Sequence, residues 1–242
     1  MKKKKIAVLS LVVAMSIVPT FSFANRSKDY NNSSSDRPSS ATTSTTTVGA
    51  TGSGSAGTSV PTTGTEVKLA VNGTLVSSTG ATTDKTGTVI GLVVGTKTTT
   101  GVERVSNGKG GINVGTVSVH FASGSAETAG LPTGVVAKID KLNQGNSISA
   151  VLGNETGKDL SRYVRVGNTR AVIATDSTTG LTKTAAEIVL AVDVPNGVEM
   201  AAVYYDNNTG RWVFVPVVAD PITNTVTVTV PGSCTLQLMK KI

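Results

Sequence analysis

One cysteine, one histidine, four Phe, four Tyr and one Trp among 242 residues leave little material for catalytic chemistry. Cys234 has no partner for a disulfide within its own chain, which excludes the small disulfide-stapled class. His120 stands alone, so a zinc site would have to find most of its ligands among carboxylates, and no G-x-S-x-G turn offers a serine nucleophile to a His-Asp pair. Charge of one sign is also scarce. The formal +7 includes Lys2, Lys3, Lys4 and Lys5, and the other 18 basic residues face 15 acidic ones. With no cluster of Lys and Arg interleaved with aromatics, nothing tracks a phosphate backbone, and nucleic acid is not an expected partner.

What is present begins with an address. A lysine-rich start, an apolar run from Ile6 to about Val18, Pro19 and then the small residues Ser22 and Ala24 make residues 1–24 a bacterial-style secretory signal peptide, with the mature chain starting near Asn25. The run is shorter than the ~18 to 20 residues that cross a bilayer. No later apolar segment reaches that length, and no membrane span is expected after cleavage. The expected location is outside the cell, free or associated with the wall.

Residues 25–64 are mostly Ser, Thr, Gly and Asn with almost no large apolar side chain. Such a segment buries too little to offset its conformational entropy, and it reads as a disordered tether reaching roughly 35 Å as a coil. Residues 65–242 are enough for one β-rich domain, or for two subdomains at 65–122 and 123–242.

Within that domain the period of the apolar pattern assigns the elements. Leu69 and Val71 alternate before Asn72-Gly73, a two-residue hairpin signal, and Gly87 to Val94 reads as a buried strand. Ile112 and Val114 keep even parity while Val117, Val119 and Phe121 keep odd parity, so a bulge or a break is expected at Gly115-Thr116. After Pro132 the period becomes helical, with Val135, Val136, Ile139 and Leu142 before a stop at Gly145 and a second short turn over Ile148 to Leu152. Strands then return at Ala171 to Thr175, Ile188 to Val194, Met200 to Tyr205, Arg211 to Val217, Thr223 to Val230 and Cys234 to Met239. Mainly β, an antiparallel β-sandwich with one or two short helices inserted, is the expected fold. Cys234 alternates with Leu236 and Leu238, which places its thiol in the core.

Candidate sites are few. Glu187 and Asp193 share a parity on one strand but lie roughly 20 Å apart, too far for a glycosidase pair. Asp159 and Asp176 have no partner in sequence. Asp206-Asn207-Asn208-Thr209-Gly210 starts like a calcium loop, yet Arg211 and Val217 occupy the places of the Gly and the Glu that an EF-hand needs, and the segment reads as a hairpin turn. Catalytic residues, metal ligands and cofactors are therefore expected to be none. The aromatics Tyr204, Tyr205 and Trp212 flank this same turn; a core or cross-strand aromatic pair is the favoured reading, and where a ring is exposed they form, with Asp206, the one candidate binding surface, for a cell-envelope, glycan or protein partner.

The segment Y-Y-D-x-x-T-G-x-W at 204–212, followed by the Thr/Val strand 225–230 and the closing strand from Cys234, resembles the C-terminal β-rich part of uncharacterised exported proteins of Gram-positive bacteria; Ala122 to Gly134 with the helix after it is similar to the same group. The resemblance covers about half the chain. It implies an extracytoplasmic β-sandwich and brings no active site. Leu131-Pro132-Thr133-Gly134 lacks one residue of a sortase motif, lies mid-chain and has no apolar tail. The function expected is a secreted or surface-associated, non-enzymatic binding or assembly protein. The alternatives are a carbohydrate-binding module using Tyr205 or Trp212, and a hydrolase whose carboxylates meet only in three dimensions.

Overall fold

The computed structural model describes residues 66–182 and 184–242. The signal peptide expected at 1–24 and the tether expected at 25–64 lie outside the described residues. In chain order the strands are β1 Val67–Val71, β2 Thr74–Thr83, β3 Val89–Val93, β4 Arg104–Ser106, β5 Gly111–Val114 and β6 Val117–Phe121. A 3-10 turn at Gly124–Glu127 leads to α1 Thr133–Asn143 and α2 Ile148–Leu152. The rest are β7 Tyr163–Asp176, β8 Ala186–Ala191, β9 Met200–Asp206, β10 Arg211–Pro216, β11 Val218–Asp220, β12 Thr225–Val230 and β13 Cys234–Lys241.

Antiparallel pairing builds two sheets, ordered β1-β2-β3-β8-β12-β11 and β10-β9-β13-β7-β6-β5-β4. Each sheet takes strands from before and after residue 122, so the boundary considered there in the sequence divides neither sheet. The even-numbered residues of β8 and β12, from Ile188 to Val230, face Ala202, Leu236 and Val172 of the other sheet in one shared core. This is the sandwich that the alternation implied. At Gly115-Thr116 the parity switch is a break: Val114 pairs with Val117 across a two-residue hairpin, with Gly115 at a φ of 62°.

Each sheet also has a covered outer face. The β1–β2 hairpin lays Leu69, Val71 and Val76 over Val93, Val189 and Ala191, the residues of β3 and β8 that point away from the main core. Its tip is held by the buried Asn224, whose Nδ2 donates to Val71 O (3.3 Å) and Thr74 Oγ1 (3.2 Å) while its Oδ1 accepts from Val194 N (3.2 Å). β2 bends at Gly80, where a Cβ would stand 2.2 Å from Gly110 O, so only glycine fits. On the other side, Val135, Ile139 and Leu142 of α1 and Ile148 and Leu152 of α2 cover Ala201, Val203 and Met239 of the seven-stranded sheet. The helices form where the 3.6-residue spacing put them, and Ser147 caps α2 by accepting from Ala150 N at 3.3 Å.

Cys234 is buried between Leu236 and the opposite sheet, and burial, aided by the charge of Asp206, pushes its thiol up to about 12. The native thiol is expected to resist a thiol reagent and to react only as the protein unfolds. Cys234→Ser should cost about 1 to 3 kcal/mol by setting a hydroxyl in an apolar place. Stoichiometric labelling of the folded chain at neutral pH would contradict this placement.

Candidate functional site

The candidate surface drawn from the sequence is the β9–β10 hairpin. Its turn is closed from within: Asp206 Oδ1 accepts from Asn208 N, Oδ2 accepts from Thr209 Oγ1, and the Asp206 carbonyl accepts from Gly210 N, each at 2.8 Å. Both carboxylate oxygens are engaged and Asp206 is buried, which gives a hairpin turn. Among the described residues no group of three metal-ligating side chains occurs.

Around this turn the buried cross-strand pair forms and the exposed aromatic surface does not. Tyr205 and Trp212 are 5% and 4% exposed, face each other across the two strands with ring centroids 5.5 Å apart, and belong to the cluster beneath α1 and α2. Tyr204 is half-buried and packs from the opposite face against the inter-sheet core. Parity correctly put Tyr205 and Trp212 on the same face of the sheet. That face is the floor on which the helices sit, a long-range fact that local alternation does not carry.

The hairpin does expose its tip, Asn207 to Arg211, and the outer edge of β10. β10 pairs with β9 along Arg211–Pro216 without a register shift, and among the described residues its other edge has no backbone partner. The opposite end of the same sheet is different: β4 is closed by Arg104 N donating to Thr96 O and Gly95 N donating to Arg104 O, both at 2.8 Å. From Pro216 the chain passes through Val217 directly into β11, the edge of the second sheet. One extended segment, 211–220, therefore forms an open side of the sandwich. Val215, Val217 and Ala219 pack inward, whereas Val218 is 73% exposed and Ile222, in the turn that follows, 83%.

The carboxylates are placed one by one, mostly in turns. Asp84 Oδ1 accepts from Thr86 N and Thr88 N, Asp176 Oδ1 from Thr178 N and Thr179 N, Asp220 Oδ1 from Ile222 N, and Asp159 Oδ1 from Ser161 N. Glu199 accepts from Tyr163 Oη and Lys241 Nζ, and Glu155 pairs with Lys138. Glu187, which shares a parity with Asp193 in the sequence, is bound to Arg104: Oε1 lies 2.6 Å from Nη2 while Thr99 N and Oγ1 donate to the same carboxylate. Burial raises the Glu187 pKa, and the hydrogen bonds from Thr99 and Arg104 outweigh it, leaving the group below the usual range. Asp193 is exposed and borders a cleft of about 230 Å³ with Thr86, Thr88, Arg165, Gly167 and Lys240. A second hollow of about 330 Å³ is lined by Ser149 and residues of the loop from Gly153 to Leu160.

Two arginines that carried no signal in the sequence hold charge away from water. Arg104 is 1% exposed and reaches from β4 to β8. Arg170, on β7, is mostly buried near the charges of Asp84 and Glu127; burial lowers its pKa and raises that of Glu127. His120 shares the outer face of β6 with Ser118, and partial burial lowers its pKa below 6.5.

These shifts set an acid profile. Asp176 is held low chiefly by the Thr179 backbone N–H, Asp220 by the Thr223 hydroxyl and Asp159 by the Ser161 N–H. Each stabilises the fold above its unfolded value near 3.8 and loses that contribution as pH falls through the depressed folded value. His120 acts in the same direction from about 6.5 downward, because the unfolded chain takes the proton first. Glu127, with a raised pKa, opposes them near 4.5. Calorimetry across pH is expected to show a melting temperature level near neutrality, declining gently below 6.5 and steeply below 4; a rise on acidification would contradict the assignment.

No family model matches the chain, and searches of curated proteins and of solved structures return no match.

Proposed function

We propose that this chain is a secreted or cell-surface-associated binding and assembly protein without enzymatic activity. The observation that carries this reading is the open side 211–220, where a sheet edge without a backbone partner runs beside exposed Val218. Unpaired edges and exposed apolar side chains are features that folded domains usually cover or charge, and their retention together marks a contact surface. The acidic turns support the same reading, since carboxylates that accept from their own backbone are occupied in holding hairpins. Export is supported by the signal-like residues 1–24. Burial of Tyr205 and Trp212 removes the rings on which a sugar-binding module would rest. The partner class is a cell-envelope component.

The test is capture of envelope material by the full chain, repeated with Val213→Lys to charge the β10 edge and with Asp193→Asn, alongside a screen for glycosidase, peptidase and esterase turnover. Capture is expected to fall for Val213→Lys and to be unchanged for Asp193→Asn, with no turnover. Turnover abolished by one acid-to-amide change would overturn the reading.

A further inference from the structure

The edges of the two sheets are not treated alike. β4 is closed by the chain at Gly95 and Thr96, β11 is three residues long, and β1 carries the exposed Lys68. β10 has six residues, no bulge, and no charge between Arg211 and Pro216. Natural edge strands avoid pairing with others by being short, charged, proline-bearing, bulged or covered; β10 has Arg211 and Pro216 at its two ends and none of these devices between them.

We infer that β10 pairs with β10 of a second copy of this chain, antiparallel about a two-fold axis, to make a dimer with one sheet continuous across both copies. The inference rests on the open side described under Proposed function and assigns its β10 part to the assembly step, with envelope material met by the pair, so that Val213→Lys loses capture by losing the pair. A strand fits itself in this way only if it opposes no like charges. With the axis at Val213, Val213 of one copy faces Val213 of the other, Trp212 faces Phe214, and Arg211 faces Val215, each pair sharing a face of the joined sheet. The single charge of the strand therefore falls at the rim, opposite an uncharged residue, while the centre of the contact is apolar. A closed two-fold contact of one patch with itself is the commonest symmetry for soluble oligomers. The axis stands across the sheet, so α1 and α2 of both copies remain on one side and do not collide with the edge. Val218, the most exposed large apolar strand residue among the described residues, lies at the margin of the contact.

Sedimentation of the full chain over a range of concentrations, paired with hydrogen exchange, tests this. The expected result is a monomer–dimer equilibrium in which the amides of Arg211–Val215 become more protected as concentration rises. Val213→Lys should move the midpoint upward by about tenfold or more with little change in melting temperature. A chain that stays monomeric up to its solubility limit, or a dimer whose β10 amides exchange equally at all concentrations, overturns the inference. The hydrogen-exchange arm needs no variant, so a poorly folding Val213→Lys does not leave the question open. A monomer that still captures envelope material and loses that capture with Val213→Lys overturns the dimer while leaving the binding reading intact.

Discussion

Arg104→Ala is expected to destabilise the fold by about 3 to 5 kcal/mol, because it leaves Glu187 without its cation and leaves a cavity where a guanidinium stood. The side chain is almost fully buried, its Nε donates to the Glu187 carbonyl at 3.0 Å, and its Nη2 meets the Glu187 carboxylate at 2.6 Å. It therefore fastens β4, at the end of the seven-stranded sheet, to β8 in the other sheet. The same carboxylate receives Thr99 N and Oγ1, so the arm between β3 and β4 depends on it as well. Glu187→Gln should cost less than Arg104→Ala, since an amide still accepts from Arg104 and Thr99. A double change to Arg104→Ala and Glu187→Gln should cost less than the two single losses added together, because no charge remains unpaired. Urea unfolding of the four chains measures this, and an Arg104→Ala midpoint equal to the parent would remove the pair from the account.

Trp212→Ala should cost a comparable ~3 to 5 kcal/mol. The indole fills the space between the seven-stranded sheet and the helices beside Tyr205, and its loss leaves a void bordered by the α1 and α2 contacts. Tyr205→Ala should act in the same direction. Any loss of binding by these variants is expected to track unfolding: held well below the melting temperature, the folded fraction should bind as the parent does. Trp212→Ala with an unchanged urea midpoint and lost binding would return the rings to a contact role.

Those two sites mark where the sequence was and was not informative. Local periods were legible: Val135, Ile139 and Leu142 gave α1, Asn72-Gly73 gave its hairpin, and the parity switch at Gly115 gave a strand break. Cys234, Leu236 and Leu238 also fell on the face that alternation assigned. β7 was seen only from Ala171, although it starts at Tyr163. Arg165, Gly167 and Arg170 interrupt the apolar pattern there, and the strand is carried past Gly167, at a φ of 67°, by pairing with β13. The short β4 and β11 offer too few residues for a period. Pairing between distant elements was not legible at all. Nothing near Arg104 announces Glu187, which is 83 residues away. Nothing near Tyr205 and Trp212 says that the helices, earlier in the chain, return to cover them. The two rings are covered for a tertiary reason, and the open side of the same hairpin became visible only when the sheet order was known.

On the function proposed, the working surface is the β10 side of the sandwich rather than the aromatic rings or a set of carboxylates. The most direct measurement is capture of cell-envelope material by Val213→Lys against the parent, with melting temperatures recorded for both. A clear loss of capture at an unchanged melting temperature is the predicted result. Full capture by Val213→Lys, or catalytic turnover that one acid-to-amide change abolishes, would contradict the claim.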